Sequence, residues 1–256
     1  MLTISARARY RHGLLVGLVG ALSAAAWWSL AGLGGVGSTA HAHHHHGSAV
    51  AFSAIQIGYF ALSWTIMTVA MMLPTTVPLV TIFDRLAEAK KFRLGLVSLV
   101  VAGYLVMWGL FGIVVDIAMI VTSGLAQASP WLARHATTGG SAVLLVAGLY
   151  QFTSLKHRCL EKCRSPLSFV IQHWRGRRDA WEAFHLGLHH GLFCVGCCWT
   201  LMLLMVGVGL GSLSWMLILG AVMAVEKNVP WGKRLSAPLG FGLMAWSCVA
   251  VFEQLA

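Results

Sequence analysis

The stretch HHGLFCVGCCW, residues 189–199, places His189, His190, Cys194, Cys197 and Cys198 within ten positions. Imidazole and thiolate are the ligands that soft and borderline metal ions take. On a helix turning about 100° per residue, His190, Cys194, Cys197 and Cys198 share an arc of about 100°, and His189 lies off that face. One ion or one neighbouring helix can meet those four. A single regular helix rarely wraps four ligands round one ion, so two or three are expected here, with the rest from another helix or from local unwinding. Gly187, Gly191 and Gly196 allow either unwinding or close approach of a second helix. A lone buried cysteine is a small hydrophobe, whereas three within five residues after a His pair point to a metal. An iron–sulfur cluster asks for four thiolates and this helix offers three, so Cu(I) ranks first and Zn second. The CxxC spacing of Cys194 and Cys197 also suits a reactive dithiol. A membrane thiol–disulfide oxidoreductase therefore stays open, as does an accessory subunit of a membrane complex with the cysteines as packing contacts.

A second pair, Cys159 and Cys163, lies in YQFTSLKHRCLEKCRSP, residues 150–166. Four residues apart, they share one helical face. Cytoplasmic thiols stay reduced, and the flanking Lys and Arg are expected to lower their pKa and favour soft-metal binding. Pro166 should end this helix, and SFVIQHWRGRRDAW after it reads as an interfacial anchor. In AMMLP, residues 70–74, Met71 and Met72 offer thioethers, although methionine in an apolar helix is more often packing. Pro74 and Pro78 predict a kink. Glu226 either pairs locally with Lys227 at the interface or reaches the Cys-rich helix. The tract HAHHHH supplies His41, His43, His44, His45 and His46. Such a tract binds metal weakly and with pH dependence. It reads either as a metal-gathering loop or as low complexity.

These residues sit in an apolar chain. Of its 256 residues, 58% are hydrophobic and 10% charged, with a mean hydropathy of +0.76. Soluble domains carry about 25% charged residues, so the chain belongs in a bilayer. Seven apolar stretches stand out, at about 13–35, 54–82, 95–122, 139–155, 186–210, 213–229 and 236–255. A span needs about 20 residues. The net charge of +10 would suit nucleic acid, but its placement excludes that partner. Of 18 Lys and Arg, all but Arg134 fall in the N-terminus and the alternate connectors that share its side. By the positive-inside rule the N-terminus is cytoplasmic. The expected fold is an all-α polytopic membrane bundle of about seven spans in the bacterial inner membrane. It divides into an N-terminal anchor helix (1–37), an outer His-rich loop (38–53) and a six-span metal-binding domain (54–256). STAHA marks the alternative, a cleaved signal peptide.

AMMLP, YQFTSLKHRCLEKCRSP, HHGLFCVGCCWTLM and AVEKNVPWGKRLSAPLG, in this order, resemble a bacterial family of predicted metal-binding integral membrane proteins, known chiefly as a domain of unknown function. The resemblance covers about residues 55–255. Its motifs HGxxCxGCCW and CLxxCRSP mark His190, Cys194, Cys197, Cys198, Cys159 and Cys163, and its Glu-Lys pair marks Glu226 and Lys227. It implies a multi-span protein that binds metal through these cysteines, and supplies no reaction. The expected role is handling of a soft metal, Cu(I) before Zn, for trafficking or supply to a metalloenzyme, with a metallochaperone or membrane metalloenzyme as partner. Met71, Met72, His189, Glu226 and the His tract are secondary candidates.

Overall fold

The computed structural model describes residues 2–42, 54–129, 136–208 and 212–255, which form helices and turns with no strand among them. The helices are α1 (Leu2–Ala42), α2 (Ala54–Met71), α3 (Val77–Leu86), α4 (Arg93–Ala128), α5 (Ala136–Tyr150), α6 (Ser154–Arg164), α7 (Pro166–His173), α8 (Asp179–Val208), α9 (Leu213–Asn228) and α10 (Ser236–Leu255). Four segments are long and apolar enough to cross a bilayer: Tyr10–Gly32, Arg93–Ala128, Asp179–Val206 and Gly232–Glu253. A fifth crossing arises if α2 and α3, bent by 46° at their junction, count as one broken span. α5 and α9, at 15 and 16 residues, are shorter than the expected spans they replace. α1 runs on through Ala42, so the first five residues of the expected outer loop are helical. The side chain of His41, and His43, His44, His45 and His46, lie outside the described residues.

The bend follows from Pro74, which lacks an N–H for the helical ladder. The chain passes through a short 3-10 turn, Pro74–Thr76, before α3 begins. A helix broken among buried residues must satisfy its freed carbonyls internally. Thr75 and Thr76 do so, each hydroxyl donating at 2.7 Å, to the carbonyls of Met72 and Leu73. This fixes Met72 at the inner corner of the break.

α4 and α8 form the tightest helix pair. A Cβ built on Gly187 would fall 2.0 Å from the Val100 carbonyl oxygen, and one on Gly103 would fall 2.2 Å from that of Phe184. These small residues let the backbones touch, as in membrane helix pairs generally. α8 stays regular from Asp179 to Val208, so close approach is what its glycines provide, and unwinding does not occur. The start of α8 is fixed by Glu182, whose carboxylate accepts from the backbone N–H groups of Arg175, Gly176, Arg177 and Arg178. α1 docks on the bundle through Ser23, which donates to the Ala70 carbonyl at 2.7 Å.

The long connector after α5 turns inward. Thr153 caps α6 by accepting from the Lys156 N–H. α6 ends at Arg164, just before Pro166. It then leans against α8 with Lys156, Cys159 and Leu160 buried. α7 packs on α3, burying Phe169 and Val170 and leaving Leu167 and Ile171 exposed.

Candidate metal centre

α8, the α2–α3 break, α9 and α6 converge on the Cys-rich turn. Cys194, Cys197 and Cys198 are all buried, and so is His190, while His189 is exposed. Met72 enters from the break, its Sδ 3.9 Å from Cys198 Sγ. Tyr104 enters from α4, its hydroxyl 3.1 Å from Cys194 Sγ and 3.3 Å from the Met72 carbonyl oxygen. The Cys197 and Cys198 thiols donate to the Cys194 carbonyl at 3.1 and 2.9 Å.

The centre of this group is occupied by an ammonium. Lys227 Nζ lies 2.9 Å from Cys194 Sγ, 3.4 Å from Met72 Sδ and 3.8 Å from Cys198 Sγ. All three partners are sulfur, and Lys227 is only 7% exposed.

Glu226 takes the opposite direction. Of the two expectations for Glu226, the local pair with Lys227 does not form, and its carboxylate takes its donors from α6 and the start of α10 rather than from the Cys-rich helix. Lys156, fully buried, donates to both Glu226 oxygens at 2.8 and 3.0 Å, and also to Gln151. Ser236 donates to Glu226 at 2.7 Å, and Arg164 donates to the Glu226 backbone carbonyl. The end of α9 is thereby tied to α6 and the start of α10. One turn of α9 sends a carboxylate to a buried lysine and the next residue's ammonium to the sulfurs.

The two cysteine pairs meet. Gly196 leaves room for Cys159, whose Sγ would lie 2.6 Å from a Cβ at that position. Cys163 is half-buried and packs against the cluster that contains Cys194 and Cys197. These contacts reverse the expected electrostatics of α6. Burial pushes the Cys159 thiol up, with Cys197 adding to the effect. Hydrogen bonding to Cys194 and Cys197, and then burial, push Cys163 up as well. Of the basic neighbours credited with lowering them, two are engaged elsewhere, Lys156 on Glu226 and Arg164 on the Glu226 and Pro230 carbonyls.

The other candidates lie apart from the sulfurs. The His190 ring is tilted against Tyr104 and meets Phe169 edge-on, with centroids 5.8 and 5.6 Å away. Its Nδ1 is buried without a hydrogen-bond partner. His189 instead faces His173 and His185, at 5.1 and 6.0 Å. Met71 packs over Gly220, its methyl end 2.9 Å from where a Cβ would stand. The carboxylate of Glu226 is taken by its two donors, Lys156 and Ser236. Among the described residues, no three His, Cys, Asp or Glu side chains are arranged to hold one ion. The convergence needs the Met72 thioether, and Lys227 stands within it.

Sequence reasoning missed Tyr104, Lys156 and the direction of Lys227. The available signals were a Tyr inside an apolar helix and a Lys inside an apolar span, both of which need partners when buried.

A family model described as PpoB2, copper chaperone, matches residues 61–250, most of the chain. It includes all six motif residues. No curated protein and no solved structure matches the chain.

Proposed function

The chain belongs to the PpoB2 copper chaperone family, and from that premise we propose that it is a multi-pass membrane protein that holds copper as Cu(I) on Cys194, Cys198 and Met72 and supplies it to a metalloenzyme. The observation that carries this reading is the single buried point, now filled by Lys227 Nζ, that lies 2.9–3.8 Å from two thiol sulfurs and one thioether. Thiolate with thioether is the donor set that selects Cu(I). A closed zinc site takes four ligands from Cys, His, Asp and Glu. The described residues offer no trio of that kind, which favours copper over zinc.

The surrounding sulfurs give the ion somewhere to go. Cys197, Cys163 and Cys159 follow one another from α8 into α6. A two- or three-coordinate Cu(I) moves along such a series by gaining the next sulfur before losing the last. The charge distribution supports a topology with α6 on the cytoplasmic side of a bacterial inner membrane and the His tract on the outer side, where it would gather metal. His190, with an unpartnered buried Nδ1 beside Tyr104, lies one turn of α8 before Cys194 and serves as a further ligand once its ring turns toward the sulfurs.

The oxidoreductase reading keeps one support, since Lys227 and Tyr104 both address Cys194 as they would a redox thiol. Elemental analysis separates the two. The protein, purified in detergent with the His tract deleted, is expected to carry about one copper per chain after growth with copper. A Cys194→Ser, Cys198→Ser variant is expected to carry none. Absence of metal from the parent, with a titratable Cys194–Cys197 disulfide, would replace this reading with the redox one.

A further inference from the structure

We infer that Lys227 is a resident counter-cation of the copper site, holding the ion's place when the site is empty and making the loaded site selective for a monovalent ion. This rests on the copper reading above and adds to it a residue that donates no electron pair to the metal.

A buried ammonium needs an anion. The carboxylate nearest in sequence, Glu226, is taken by Lys156 and Ser236. What remains around Lys227 is sulfur alone. Of its sulfurs, Cys194 is nearest, at 2.9 Å, and the Tyr104 hydroxyl lies 3.1 Å from the same sulfur. With Glu226 engaged elsewhere, Cys194 is the nearest group able to carry the charge that pairs with this ammonium.

The loaded site then has a fixed balance. Binding of the ion displaces the Cys198 thiol proton, which the empty site directs at the Cys194 carbonyl, to the solvent; two thiolates, Cys194 and Cys198, then face one ammonium, and the Met72 thioether is neutral. A monovalent ion brings the sum to zero. A divalent ion leaves a net positive charge in a buried, apolar place, where it is strongly disfavoured. The ammonium sits on a flexible four-carbon stem, so it can yield the centre to the incoming ion and remain beside the sulfurs. When the ion leaves, Nζ returns and keeps the thiolate paired.

The test compares the parent protein with Lys227→Met and Lys227→Arg, all without the His tract. Each detergent-purified protein is equilibrated with Cu(I) and Zn(II) together under reductant, and the bound copper-to-zinc ratio is measured. A tenfold or larger fall in K227M, with recovery in K227R, is expected. In metal-free protein, the alkylation rate of Cys194 should fall by about tenfold in K227M and recover in K227R. A role in packing alone would not make either readout follow the charge. Copper in the parent with an unchanged ratio in K227M overturns this inference and leaves the copper reading standing. A parent that takes neither metal overturns the copper reading. In that case the alkylation rates still decide the ammonium–thiolate pair, and equal rates in parent and K227M refute it.

Discussion

The Lys156–Glu226 pair is the joint that aims Lys227, and its removal should be costly in a specific pattern. Lys156 is 0% and Glu226 2% exposed, with N–O distances of 2.8 and 3.0 Å. At 2.8 Å and an effective dielectric of about 20, their attraction is about 6 kcal/mol, most of it offset by the loss of water from both charges. Deleting one partner leaves the other buried and unpaired, at a cost of about 3–5 kcal/mol. Glu226→Gln and Lys156→Met should therefore each lower the Tm in detergent by about 6–20 °C, using the shift per kcal/mol typical of a chain this size. The double variant removes both charges and should recover most of that loss. Copper retention should fall in each single variant, because an unpaired Lys156 or Glu226 lets the end of α9 shift. Single variants within about 1 kcal/mol of the parent, or a double variant less stable than either single, would refute the reasoning.

Three further outcomes follow from the same geometry. Met72→Leu should weaken copper binding at least tenfold, whereas Met71→Leu, which alters only the contact over Gly220, should leave it within about twofold; a competition titration with a colorimetric Cu(I) chelator reads both. Gly187→Ala puts a methyl into the Val100 carbonyl, a backbone atom that cannot step aside. It should cost at least the ~1–3 kcal/mol of ordinary overpacking, seen as a lower Tm or loss of folded protein, while Gly109→Ala on α4, with open space around it, should be neutral. In metal-free protein, Cys159 and Cys163 should alkylate slowly at neutral pH and speed up only above the usual thiol range, because burial and facing thiols push both up; mass spectrometry across a pH series measures this, and fast labelling at pH 7 would contradict it.

Much of this was legible in the chain and some was not, for physical reasons. Helical periodicity alone put His190, Cys194, Cys197 and Cys198 on one face, and the structure buries all four. Pro74 and Pro78 announced the bend between α2 and α3. The charge on α6 was misread because flanking Lys and Arg say nothing about where their side chains end. Lys156 and Arg164 are drawn to α9, and the thiols are left facing other thiols. Glu226 and Lys227 looked like a local pair because they are adjacent, but successive residues on a helix point about 100° apart. Each found its partner on a different element. Met72 rather than Met71 faces the sulfurs because the break at Pro74 turns it inward, a detail that periodicity along an unbroken helix does not contain.

The central claim is a sulfur-bound Cu(I) at the point Lys227 now fills. Copper K-edge X-ray absorption on the loaded, tract-deleted protein tests it most directly. The account predicts an edge characteristic of Cu(I), sulfur nearest neighbours numbering two to three, and loss of one sulfur in the Met72→Leu variant. Nitrogen or oxygen as the dominant neighbours, or a spectrum unchanged when Cys194 and Cys198 are replaced by serine, would contradict it.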